Sequence, residues 1–179
     1  MNRRTPRNLL FIGVIFLFLS VGFAAKAFAL GFWTNSFKNH GFIGKAYTCE
    51  GAGFSPSLFW SKIPEGTVSL SIIMKDVDAP GGVFYHWVVY NIPPGVNGIR
   101  KGISPSYRMP GGFFIQGINS FGDRGYGGPC PPPGGYHRYF ITIYALDVKL
   151  DLGKGANAYQ VLRAMRRHII GRSSIEGRF

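Results

Sequence analysis

Two aspartates, two histidines and a glycine–proline run are the residues of this sequence best suited to chemistry. Asp76 and Asp78 follow one apolar run, His86 opens a second, and His137 precedes a third. Between them residues 125–133 read GYGGPCPPP. If the three runs are neighbouring strands, their ends gather two carboxylates and two imidazoles around one opening, with the Gly-Pro loop as its rim. A carboxylate beside a histidine favours the imidazolium, which donates to a phosphate or carboxylate oxygen. The aspartate in turn accepts from a protonated phosphate or an ammonium. Gly127 and Gly128 would let backbone N–H groups come close to an anion. Each piece also has a plain reading: a turn former, a strand-edge histidine, a rigid loop. The same aspartates and histidines would equally suit a divalent metal or acid–base hydrolysis. No Ser, Lys or Cys nucleophile is evidently paired with them, so no catalytic residue is assigned.

The elements that must hold these residues are strands. Residues 69–74 (SLSIIM), 86–91 (HWVVYN) and 139–146 (YFITIYAL) are short, β-branched and aromatic, and turn residues bound them. Their continuous apolarity predicts burial on both faces. Residues 113–116 form a further strand candidate. The stretch 117–135 is too rich in Gly and Pro for regular structure, and a loop that long in a compact domain usually serves function. One segment has helical spacing: Tyr159, Leu162, Met165 and Ile169 predict a helix over 156–170 packed by that stripe, with Gly171 as its terminator. The expectation is a β-rich domain with a small helical complement.

At 179 residues with 46% hydrophobic content, the chain is long enough for one domain with a real core. No 20–50-residue repeat occurs, and two cysteines are too few for a disulfide-dense scaffold. Arg3, Arg4 and Arg7 precede an uncharged run over 9–25, and Ala27-Phe28-Ala29 then offers small residues where a signal peptidase reads. Residues 1–29 read as a secretory signal cut after Ala29, with an uncleaved membrane anchor as the alternative. The mature domain, 30–179, would be periplasmic or secreted. It stays basic, since residues 1–29 hold only four cations of a chain whose net charge is +12. Those charges are scattered, apart from Arg163, Arg166, Arg167 and Arg172, so nucleic acid is not an expected partner. Cys49 and Cys130 are either buried thiols or, in an exported chain, one disulfide.

DVDAPGG, then HWVVYNIPPG, then QGINSFGDRGYGGPCPPPGGYHRYFITIYALD resemble the phosphatidylethanolamine-binding protein family. YTCEGAGFSPSLFW at 47–60 narrows the resemblance to its bacterial, Raf-kinase-inhibitor-like branch. The resemblance implies a mainly β fold: a β-sandwich with a C-terminal helix and an anion pocket at one end. It carries the pocket positions onto Asp76, His86, Gly128, Pro129 and His137, with Asp78, Tyr126 and Tyr139 beside them. It also implies a cis bond at Ala79–Pro80. Two departures stand out: Val77 replaces the usual proline between the aspartates, which should loosen the loop, and Glu50 replaces an aspartate. The implied role is non-enzymatic binding of a small phosphate-like anion or phospholipid headgroup, with no cofactor and no metal. A homodimer stands beside the monomer as an alternative, and no protein partner is indicated.

Overall fold

The structure is a computed structural model that describes Met1, residues 29–106 and residues 114–179. The reading of 1–29 as a signal therefore lies almost wholly outside the described residues. The strands in chain order are β1 (Gly31–Trp33), β2 (Gly41–Phe42), β3 (Leu58–Ser61), β4 (Ser69–Asp76), β5 (Phe84–Ile92), β6 (Gly98–Ile99), β7 (Ile115–Gln116), β8 (Arg138–Leu146) and β9 (Ile169–Arg178). Among the described residues a 3-10 turn spans Lys45–Tyr47, and a helix, α1, spans Ala158–Met165. A small sheet, β1-β3-β6, faces a larger one ordered β2-β9-β8-β4-β5-β7, and neither closes. Pairing in the large sheet is antiparallel except between β2 and β9.

The three long apolar runs are β4, β5 and β8, at the centre of the large sheet. Seven of the eight β4 residues are buried, because both of its faces are covered. Leu70, Ile72, Met74, Trp87, Val89, Ile141 and Ile143 pack toward Leu58, Trp60 and Ile99 of the small sheet. On the other face Ile73, Tyr85, Val88 and Tyr90 pack beneath Val161 and Met165 of α1. Stretch 117–135 is loop, as its composition requires, and only isolated bridges at Ile118 interrupt it. The strand expected at 113–116 is Ile115–Gln116; Phe113 lies outside the described residues.

The C-terminal expectation needs correction. Asn157 caps α1 and exchanges a capping box with Gln160, but the helix stops at Met165, not at Ile170. Its buried stripe is Ala158, Val161 and Met165. Tyr159 is 68% exposed and only edge-packs on Tyr85, while Ile169 is exposed and begins β9. Gly171 sits within β9 instead of ending a helix. The physical reason is tertiary. The β-branched pair Ile169-Ile170 begins a strand that pairs along all of β8, from Leu146 to Arg138. Met165→Asp should therefore lower stability by about 3 kcal/mol or more, since it buries an unpaired charge. Tyr159→Asp should cost under about 1 kcal/mol, as expected for an exposed position. Urea titration of the two variants reads the contrast; equal losses would contradict this helix register.

Candidate functional site

The candidate site forms where β4 ends, β5 begins and β8 begins. Asp76, the last residue of β4, pairs directly with Tyr139 of β8. Directly opposed side chains in an antiparallel pair share one face of the sheet. His86 arrives by a different device. Met74 pairs with Trp87 and Lys75 with Tyr85, so His86 is the extra residue of a β-bulge. Such a bulge re-aims a side chain locally, and here the ring comes within 5.2 Å of the Tyr139 ring, centroid to centroid. His137 precedes β8 and is fixed by exchanging two backbone hydrogen bonds with Phe179, at 2.9 and 3.1 Å.

Asp76 organises the cluster. Its Oδ2 lies 2.7 Å from His137 Nδ1, and its Oδ1 accepts from the Asp78 N–H at 2.9 Å. Both Asp76 and His137 are largely buried, with side chains 5% and 13% exposed. The turn closed by the Asp78 N–H holds the loop that Val77 was expected to loosen. His86 Nδ1 lies 2.8 Å from the Gly127 carbonyl, and the Gly127 N–H returns a bond to the His86 carbonyl at 2.8 Å. With each Nδ1–H donating inward, Nε2 of each ring is the nitrogen left to meet a ligand. Burial pushes the His86 imidazole below its ordinary value, against the opposing pull of the Gly127 carbonyl and the Asp76 charge. Tyr139 is fully buried, and its hydroxyl lies toward Asp76 without completing a well-formed hydrogen bond. Burial, followed by the Asp76 charge, pushes its ionisation upward, so it remains a proton donor.

The other expected residues serve as walls and anchors. Asp78 does not join the cluster: its carboxylate grips Arg138 in a bidentate pair at 2.9 and 2.7 Å and accepts the Arg138 N–H. The Arg138 guanidinium holds the Asp78 carboxyl down to about 2. Tyr126 donates to the Tyr47 carbonyl at 2.7 Å and packs its ring edge against Trp87. Gly127 offers no free N–H to an anion, since His86 already uses it. Neither Gly127 nor Gly128 needs a positive φ; each is needed for close packing. A Cβ on Gly127 would lie 2.6 Å from the Phe121 ring, and one on Gly128 3.0 Å from the Thr48 backbone. Pro129 accepts the Cys49 N–H at 3.1 Å, and Cys49 and Cys130 form a disulfide. Ala79–Pro80 is trans, contrary to the resemblance. Glu50 forms an exposed pair with Lys45 away from the cluster.

Sequence reasoning missed Phe121 and Phe84. Their rings meet at 4.7 Å, and each lies within 5.6 Å of the His86 ring. It also missed Asn119, whose carboxamide oxygen accepts from the N–H groups of Phe121 and Asp123 and so folds the loop bearing that wall. The string NSFGD did carry an Asx-turn signal. Among the described residues no group of three or more His, Cys, Asp and Glu side chains is placed to hold a metal ion. An open cleft of about 550 Å³ beside Trp33 and Lys38 shares no residue with the cluster.

The family model described as phosphatidylethanolamine-binding protein matches residues 33–179. The chain belongs to that family. It is 44% identical over 144 residues to a UPF0098 protein of Methanothermobacter thermautotrophicus, covering 80% of this chain and 94% of that one. A UPF0098 protein of Aquifex aeolicus is 44% identical over 157 residues, with 87% and 91% covered. Among solved structures, Escherichia coli YbcL, titled a new member of the mammalian family, superposes with a TM-score of 0.78 at 31% identity. That match covers 84% of this chain and 97% of YbcL. A family homologue from Chlamydia trachomatis gives 0.76 at 36% identity over the same shares. The chain thus shares its mainly β fold with these two solved structures.

Proposed function

We propose that this family member binds a small phosphate-like anion, free or as a phospholipid headgroup, at the Asp76–His86–His137–Tyr139 cluster and does no chemistry on it. The observation that carries the reading is the Tyr139 hydroxyl, fully buried beside Asp76 and without a well-formed hydrogen bond. A buried donor left unpaired costs about 1–3 kcal/mol, so an orphan of this kind calls for a ligand. The two imidazole Nε2 atoms become further donors to an anion once their rings are protonated, and Asp76 supplies the acceptor that a zwitterionic headgroup would use. The family's description also supports a headgroup.

Tyr139→Phe separates binding from mere bracing. Removing an unsatisfied buried hydroxyl should leave stability unchanged or slightly raised, while phosphate affinity falls about fivefold or more, as a lost hydrogen bond of about 1 kcal/mol requires. Calorimetric titration with phosphate and phosphoethanolamine, beside a thermal melt, measures both. Unchanged affinity would remove Tyr139 from the site.

The same reading places the domain outside the cytoplasm. Its support is the Arg-rich start, the uncharged run and Ala27-Phe28-Ala29. Mass spectrometry of an envelope fraction should find an N-terminus at Leu30; a retained chain starting near Met1 would favour the anchor instead.

A further inference from the structure

The outer face of the large sheet is covered by α1 over β5, but it lies open across β4, β8 and β9. There it forms a trough of about 560 Å³ lined by Lys75, Val77, Phe140, Thr142, Tyr144, Arg172, Ser173 and Ser174. The register orders this face. Lys75 stands beside Phe140, Thr142 beside Ser174, and Tyr144 beside Arg172. Lys75 and Arg172 are therefore two strands apart and four residues apart along the sheet, about 16 Å on the diagonal. Between them run the hydroxyls of Thr142 and Ser174, 3.0 Å apart, and Ser174 spends its proton on the Ile141 carbonyl at 3.2 Å.

Among the described residues no carboxylate pairs with Lys75 or Arg172. The acids nearest in the fold are already committed. Glu176, opposite Phe140, pairs with His40 and Arg178, and Asp78 pairs with Arg138. Two free cations, joined by hydroxyls and lacking a counter-charge, make a strip complementary to negative charge spread along a line. Phe140, Thr142 and Tyr144 are only half-exposed, so the strip is recessed. A flat bilayer would not reach its floor, whereas a flexible chain would.

We propose that this trough is a second anion site, distinct from the Asp76 cluster, and that it takes an extended linear polyanion of the phosphate-chain type. Lys75 and Arg172 hold its two ends, and the Thr142 hydroxyl, turning from Ser174, donates to it between them. Its residues are separate from those of the cluster, so the two readings stand or fall independently. The test titrates the full chain with inorganic polyphosphates of graded length, from pyrophosphate to chains well beyond 16 Å, at several salt concentrations. Affinity should climb with length until both cations are spanned and then level off. Lys75→Gln and Arg172→Gln should each weaken the long chains several-fold and reduce the salt slope by about one. A far-UV dichroism spectrum and melting temperature like the parent's show that both variants are folded. Affinity independent of chain length, or variants that bind polyphosphate like the parent, would overturn the proposal. Binding to anionic vesicles that is lost in both variants, without matching polyphosphate binding, would overturn it in favour of a membrane.

Discussion

Phosphate and phosphoethanolamine should bind more tightly as the pH falls from 8 toward 6. His86 gives its Nδ1 proton to Gly127, so Nε2 can donate to an anion only once the ring gains a second proton. Burial holds that protonation below the ordinary value of 6.5 in the free protein. A bound anion favours the imidazolium, so each ligand takes up close to one proton over this range, and affinity should rise about tenfold per pH unit at most. Below about pH 6 the monoester phosphoethanolamine loses charge, and inorganic phosphate does so already near neutral pH, so each affinity passes through a maximum, at higher pH for inorganic phosphate. His86→Ala should cost about tenfold or more in affinity, as expected for a charge-assisted hydrogen bond, and should flatten the profile. Asp76→Asn removes the charge that raises the His86 value and should move the maximum to lower pH. His137→Ala should weaken binding similarly. The sign for stability is opposite in the free protein. A histidine whose folded value lies below its unfolded one gives stability that is present above 6.5 and lost as the pH falls. Added phosphate should therefore raise the melting temperature more at pH 6 than at pH 8. Flat profiles with unchanged affinity in all three variants would mean that these side chains only brace the loops.

The central strands could be read from the sequence because burial on both faces leaves a continuous apolar run, and β4, β5 and β8 have that property. β9 could not, since its exposed outer face carries Arg172, Ser174 and Glu176, and Arg163, Arg166 and Arg167 just before it suggested a continuing helix. Asp76, His137 and Tyr139 were legible through their motifs. The route of His86 was not, because a bulge is a property of paired strands and not of one of them. The position of Asp78 was hidden for a similar reason. Two residues from Asp76, it should have shared the same face, but the chain turns after β4 and Arg138 of β8 takes its carboxylate. Gly127 and Gly128 drew attention as backbone donors to a ligand. Gly127 spends its N–H on His86, and the lack of a side chain at each makes room for Phe121 and Thr48.

Loss of the Cys49–Cys130 disulfide should be the other large effect, and it should act on stability and binding together. The bridge closes a loop with a sequence separation of 81. In the chain-entropy picture a loop of that length is worth up to about 4.5 kcal/mol, and measured values usually fall at about 2–4. Replacing both cysteines by alanine should thus lower the melting temperature by about 5–15 °C. The effect on binding follows from what the bridge joins. It ties the turn after Lys45–Tyr47 to the Gly-Pro loop, at a junction also made by the Tyr126 hydroxyl on Tyr47 and the Cys49 N–H on Pro129. That loop carries the Gly127 carbonyl, the partner that orients His86. Asp76 and His137 are held by the sheet and by the Phe179 backbone, so they should keep their geometry. The double variant should therefore bind phosphate several-fold more weakly while retaining more affinity than Asp76→Asn, and its pH profile should be shallower because the His86 component is the one disturbed. Reducing the parent protein with dithiothreitol should reproduce both changes. A variant as stable as the parent would show that the bridge restrains little of the unfolded chain. An unstable variant with full affinity and an unchanged profile would show that His86 does not depend on the stapled loop.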